Sequence, residues 1–268
     1  MDLPAPPRPA RQFHSIRLFT DHTVASRFWL CAFLISQLVF AAKCLLPDRR
    51  DYVTALDGAD IEVKPGEIVA LLGRNGMGKT TLVNTLMGLL RSRAGSVHLG
   101  GKDISELPTH ARSRAGIAIV PQGRRVFGSL SVDETLNLAH RPGRGWTATD
   151  AFGHFPRLGE RRSTRARNLS GGEQSLLAVA RAMATGPDIV LLDEPSEGLS
   201  PGALGSLRDV LEQLRASGLG MLLVEQNLQF ALDLADRVVV MSRGRIVAVA
   251  TADEVRADAG LITRHLSI

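Results

Sequence analysis

A chain of 268 residues, 44% hydrophobic and 22% charged, can bury one full core with a small appended unit, and its composition excludes a disordered polypeptide and makes two large domains a poor fit. Its net charge of +5 does not indicate a nucleic-acid binder, because residues 1–50 hold seven Lys or Arg against three acids and residues 51–268 are close to neutral. Both cysteines, Cys31 and Cys44, also lie in that first stretch, so nothing downstream can form a disulfide or a thiolate metal site, and a reducing, cytosolic setting is expected.

The chain opens with a Pro-rich run, "LPAPPRPARQ", that can be neither helix nor inner strand. An apolar stretch follows, "RFWLCAFLISQLVFAAKCLL" (27–46), uncharged from Phe28 to Ala42. Fifteen residues including Ser36 and Gln37 fall short of the roughly twenty needed to cross a bilayer, and positive charge flanks both ends. From Tyr52 onward, strand-length apolar runs alternate with amphipathic segments, the pattern of a parallel sheet covered by helices. "EIVALLG" (67–73) predicts a buried strand and "KTTLVNTLMGLL" (79–90) a helix. "DIVLLDE" (188–194) and "GMLLVEQ" (220–226) predict two further buried strands. Between them Leu204, Leu207, Val210, Leu211 and Leu214 share one helical face. "RVVVMSRGRIVAVAT" (237–251) predicts two strands around a Ser-Arg-Gly turn.

Three motifs carry chemistry. "GRNGMGKTT" (Gly73, Arg74, Asn75, Gly76, Met77, Gly78, Lys79, Thr80, Thr81) matches the phosphate-binding loop pattern between a predicted strand and helix. Its glycines let backbone N–H groups converge on phosphate oxygens, and the helix start adds a favourable dipole. Lys79 is expected to neutralise the β and γ oxygens and the Thr80 hydroxyl to ligate Mg²⁺. "DIVLLDEP" (188–195) sets Asp193 and Glu194 at a strand end, the first for the magnesium shell and the second as general base toward water. "NLSGGEQ" (168–174) makes a second anion-binding helix start, although one chain has no use for two γ-phosphate sites so far apart.

Over about residues 52–262 this combination resembles the ATP-binding subunits of ABC transporters. The resemblance implies an α/β fold: a P-loop NTPase core of the ABC-ATPase type with a parallel sheet, a small antiparallel β subdomain and an inserted helical subdomain at about 123–168. Residues 1–50 would be an atypical segment outside that fold, 51–262 the ATP-binding domain and 263–268 a tail. In such subunits the signature, here Ser170, Gly171, Gly172 and Glu173, closes on the ATP held by a second subunit, so a homo- or heterodimer is implied. Gln122 in "IVPQGRRVF" matches the glutamine that touches metal and attacking water, giving Thr80, Gln122 and Asp193 as metal ligands and Glu194, Gln226 and Gln122 as catalytic residues. "SEGLSP" (196–201) matches the loop that crosses the dimer interface. The implied partners are transmembrane permeases, indirectly a periplasmic binding protein, and no nucleic acid. The implied place is the cytoplasmic face of a bacterial inner membrane, peripherally bound.

"GRRVFGSLSVDETL", "DEPSEGLSP" and "VEQNLQFALDLADR" most resemble the branched-chain amino acid importers, and urea and short-amide importers share much of this wording. Two positions depart from the wider family. Gln226 stands where many members have a histidine; an amide still donates to phosphate but carries no imidazolium charge. The adenine-stacking aromatic aligns with Arg50, with Tyr52 nearest, and no upstream antiparallel strand is evident, since "FLISQLVFAAKCLLP" lacks alternation. An N-terminally altered copy with weakened ATP binding therefore stays open. A soluble ABC ATPase acting on DNA or ribosomes would need a coiled-coil insertion, a tandem cassette or a basic surface, and residues 51–268 offer none.

Overall fold

The computed structural model describes residues 55–123 and 125–262, together with the backbone of Ile16–Arg17. The strands are β1 (Ile16–Arg17), β2 (Ile68–Leu72), β3 (His98–Leu99), β4 (Lys102–Asp103), β5 (Ile117–Val120), β6 (Ile189–Asp193), β7 (Gly220–Glu225), β8 (Arg237–Ser242) and β9 (Arg245–Thr251). The helices are α1 (Lys79–Met87), α2 (Thr109–Ala115), α3 (Val132–Ala139), α4 (Ala148–His154), α5 (Pro156–Glu160), α6 (Gly171–Ala184), α7 (Pro201–Ala216), α8 (Leu228–Leu234) and α9 (Ala252–Ala257).

β2, β6 and β7 are apolar at almost every position because both their faces are covered. They form the middle of a six-stranded sheet of order β5-β6-β7-β2-β8-β9, parallel except for its last strand. Their side chains alternate between two cores. Val190, Leu192, Met221 and Leu223 face the layer with α6 and α7, whereas Ile189, Leu191, Leu222 and Val224 face the layer with α1. β9, at the edge, alternates between exposed and half-buried positions. Its turn from β8 holds Arg243 at φ +48° and Gly244 at φ +77°.

α1 ends three residues before the predicted Leu90. Gly88 takes φ +75°, and the N–H of Leu89 turns back to the Asn84 carbonyl at 2.8 Å. A Cβ on Gly88 would come within 2.9 Å of the Arg112 side chain. That guanidinium, buried, donates to the carbonyls of Thr85 and Leu86 at 2.8 Å each and of Leu107 at 2.9 Å, and also to that of Ser105. It therefore closes the carbonyl end of α1.

A three-stranded antiparallel sheet, β1-β3-β4, lies apart from the main one. Its first strand comes from residues 1–50, the segment expected to stand outside that fold. Ile16 and Arg17 pair with Leu99 and His98, upstream of the apolar stretch in which no such strand was evident. A two-residue pairing has no periodicity to read, which is why the sequence did not reveal it. The apolar stretch 27–46 lies outside the described residues.

α3, α4 and α5 fall within the segment predicted to be helical. Capping boxes begin α3 at Ser131/Glu134, α4 at Thr147/Asp150, α6 at Ser170/Glu173 and α9 at Thr251/Glu254. The loop after α3 is tied to the sheet by Arg144, which donates to Asp188 and to the Gly186 carbonyl, both at 2.6 Å, at the start of β6.

Candidate active site

Strand register assembles the site. Leu72 pairs with Glu225 and Asp193 with Val224, so Gly73, Glu194 and Gln226 all emerge at the same carboxyl edge of the parallel sheet, where open α/β sheets bind ligands. The turn from Gly73 to Gly78 depends on its glycines. A Cβ on Gly73 would sit 2.5 Å from the Met241 carbonyl, and Gly78 combines φ +104° with an approach of 2.6 Å to the Ala55 carbonyl. The Met77 backbone carbonyl accepts from Gly244, and its sulfur lies 3.3 Å from the Arg243 N–H, so its side chain pins the β8–β9 turn. Asn75, Gly76, Lys79, Thr80, Thr81, Gln122 and Glu194 line one cleft of about 570 Å³. Arg74 is exposed beside it. Ala55, Arg243 and Gly244 also line it, residues that the motif reading did not single out.

Lys79 is 5% exposed and donates to the Gly73 carbonyl at 2.6 Å and the Arg74 carbonyl at 3.2 Å, with Glu194 at 3.8 Å. Burial pulls its pKa down, opposed by Glu194, Asp193 and Glu225. A cation held on carbonyls in this way is preset for phosphate oxygens. Glu194 has φ +50°, and its N–H bonds the Val224 carbonyl at 2.9 Å. One of its carboxylate oxygens accepts from the Gln226 amide at 2.6 Å, the other from the Gln122 amide at 3.0 Å. Gln122 also donates to Glu197 at 3.1 Å, a residue the sequence reading passed over although it lies in the quoted "SEGLSP" loop. A carboxylate so fixed at the cleft can orient a water and accept its proton.

Asp193 is 3% exposed; burial raises its pKa, while the Thr80 hydroxyl bonds its carboxyl. Its Oδ1 is buried with no protein partner. A hydroxyl beside an orphaned carboxylate oxygen is the hard-oxygen donor set that magnesium takes. Among the described residues no three His, Cys, Asp or Glu side chains cluster to hold a metal ion, so a cation here would complete its shell with phosphate oxygens and water.

The structure does not bring the signature to this cleft. Ser170, Gly171, Gly172 and Glu173 line a separate one of about 350 Å³ with Gly198, Ser200 and Ala203. Ser170 caps α6: its hydroxyl accepts from the Glu173 N–H at 3.2 Å, and the Glu173 carboxylate accepts from the Ser170 N–H at 2.8 Å. Glu173 thus turns back on its own helix. Tyr52 and Arg50, the adenine candidates, lie outside the described residues.

A family model described as "ABC transporter" matches residues 56–197, the stretch that carries all three motifs. The chain belongs to the ABC transporter family. It is an ATPase of that family, binding ATP and hydrolysing it in transport. It is 44% identical over 203 residues to the "High-affinity branched-chain amino acid transport ATP-binding protein BraG" of Pseudomonas aeruginosa, covering 73% of this chain and 85% of that one. It is 38% identical over 200 residues to the probable branched-chain amino acid transport protein LivF of Archaeoglobus fulgidus, with 73% and 85% covered. The lipopolysaccharide export protein LptB of Escherichia coli K12 matches at 35% over 213 residues, with 76% and 87% covered. A solved nucleotide-free ATP-binding cassette from an ABC transporter superposes with a TM-score of 0.72 at 26% identity, covering 84% of this chain and 97% of that one. As an ABC ATPase the chain therefore most resembles the branched-chain importer subunits.

Proposed function

We propose that this chain energises the uptake of branched-chain or related hydrophobic amino acids, as one of two ATP-binding subunits docked on transmembrane permeases. The observation that carries this reading is the 44% identity to a branched-chain transport ATPase together with a complete Lys79, Asp193 and Glu194 set at one sheet edge. In this reading the N–H groups of residues 73–81 and the Lys79 ammonium hold the β and γ phosphates of ATP. Thr80, Asp193 and Gln122 would hold magnesium, which when bound would shield phosphate charge. Glu194 orients the attacking water and takes its proton, while Gln226 and Gln122 hold the carboxylate in line. The α6 start of one subunit, at Ser170, Gly171 and Gly172, faces the phosphates bound by the other. This supplies a use for a second anion-binding helix start that lies in its own cleft.

In this reading the chain attaches through the permease partners, at the cytoplasmic face where ATP is available; among the described residues no helix is long and apolar enough to cross a membrane. The similarity to lipopolysaccharide export ATPases supports a second reading, in which the same engine drives export. Uptake of radiolabelled leucine, isoleucine and valine by cells lacking the gene separates the two. Uptake should fall, and be restored by the intact gene but not by Glu194→Gln. Unchanged uptake with defective lipopolysaccharide delivery would move the assignment to the second reading.

A further inference from the structure

Glu225 is a carboxylate in the wrong company. It ends β7 after Leu222, Leu223 and Val224, is itself 2% exposed, and is given no role among the site residues read from the motifs. Burial pushes its pKa up, opposed by hydrogen bonds from Ser196, Asn227 and Gln226. Oε1 accepts from the Ser196 N–H at 3.1 Å, and the Ser196 hydroxyl bonds the same carboxylate. Oε2 accepts from the N–H groups of Gln226 at 3.2 Å and Asn227 at 3.4 Å. Asn227 in turn caps α8 through the Phe230 N–H.

These contacts close a ring. Ser196 follows Glu194 by two residues and opens the loop after it, and the Gln226 amide donates to Glu194 at 2.6 Å. The carboxylate of Glu225 thus grips both strand-end loops at once, with one oxygen on each, and the Gln226 amide is a second tie between them. An apolar residue would fill the same space without the desolvation cost of a buried carboxylate, so packing alone does not account for it.

We propose that Glu225 is a positioning residue for ATP hydrolysis, holding the loop of Glu194 and Ser196 in register with the loop of Gln226 so that the Glu194 carboxylate stays aimed at the water that attacks the γ-phosphate. The proposal rests on the reading of Glu194 as general base. Glutamine at this position would have the same shape, but one of its two ends is a donor and would face an N–H on one of the two loops. Aspartate is shorter but keeps two acceptors. A tether that works by accepting from both sides therefore ranks aspartate above glutamine, and a space-filling residue ranks them the other way.

The test measures steady-state ATP hydrolysis and, separately, nucleotide affinity for Glu225→Gln, Glu225→Asp and Gln226→Ala, with Glu194→Gln as control. Glu225→Gln should lower kcat roughly 10- to 100-fold, because small displacements of a reacting group carry losses of that size, with KM and nucleotide Kd within about twofold. Glu225→Asp should retain more kcat than Glu225→Gln. Combining Glu225→Gln with Gln226→Ala should cost less than the product of the single losses, since both act through one carboxylate. Should Glu225→Gln not fold, Ser196→Ala carries the test, and a kcat equal to the unaltered protein's then overturns the proposal. It is also overturned by a Glu225→Gln enzyme that equals or exceeds Glu225→Asp, or whose kcat loss is matched by weaker nucleotide binding. If the Glu194→Gln control hydrolyses normally, the base assignment fails instead, whatever the Glu225 variants do.

Discussion

Replacing Arg112 with methionine keeps an apolar stem of similar reach and removes every donor at its end. Arg112 is 4% exposed, and its guanidinium bonds four carbonyls, of which those of Thr85 and Leu86 lie in the last turn of α1. The Thr85 carbonyl keeps a second donor, the Gly88 N–H at 3.1 Å, so its loss is partial, whereas Leu86 has Arg112 at 2.8 Å as its donor. At about 1–3 kcal/mol for a buried group left unsatisfied, with a smaller contribution from Thr85 and the part-buried loop carbonyls, the total is roughly 2–4 kcal/mol. Removing a cation from a helix C-terminus adds about 0.5 kcal/mol. For a folded unit of this size each kcal/mol shifts Tm by about 2–4 °C, so Arg112→Met should melt roughly 5–15 °C below the unaltered protein by circular dichroism. Arg112→Lys, with one compact ammonium in place of a fork, should fall between. ATP affinity of the folded fraction should stay within about threefold, since Lys79 and Thr80 sit at the opposite end of α1. A Tm within about 2 °C of the unaltered protein would show that the carbonyl end of α1 is satisfied by other means.

Further outcomes follow from the site and its supports. Glu194→Gln should hydrolyse ATP about 10²- to 10⁴-fold more slowly while still binding it and trapping a dimer detectable by light scattering, and Lys79→Ala should lose binding itself; normal turnover in the first contradicts the base assignment. Gly172→Ala places a Cβ 2.7 Å from the Ala203 Cβ and should push the start of α6 off α7, lowering ATPase activity by about tenfold or more with nucleotide binding intact. Glu134 and Glu254 are held below the usual carboxylate range, first by the backbone N–H groups of Ser131 and Thr251 and then by their hydroxyls. Folded values below unfolded ones mean stability that is present above the unfolded pKa and lost as pH falls through the folded one. Tm should therefore drop as pH falls below the ordinary glutamate value of 4.5, and drop less in the Glu134→Gln/Glu254→Gln variant.

The glycine-rich turn before α1, the acidic pair ending β6, the capped start of α6 and the alternation of buried strands with helices were legible in the sequence alone. Each of these is local: a glycine pattern, a capping residue or an apolar run declares itself within about ten residues. The Ser-Arg-Gly turn between β8 and β9 and the α7 face of Leu207, Val210, Leu211 and Leu214 were legible for the same reason. The end of α1 was misjudged because its stop is shared between Gly88 and a guanidinium from α2, a partner that no window around residue 88 contains. The same limit hid the pairing of Ile16–Arg17 with β3, about eighty residues away in the chain. Tertiary structure alone decided which strand ends meet. Register sets Glu225 beside Leu72 and Val224 beside Asp193, and so brings Gln122, Glu194 and Gln226 into one hydrogen-bonded set, with the Lys79 ammonium 3.8 Å from Glu194 and Glu225 buried behind it. A buried carboxylate looks in sequence like one more polar strand end, because what makes it costly to bury and useful to keep is the donors that three-dimensional packing supplies.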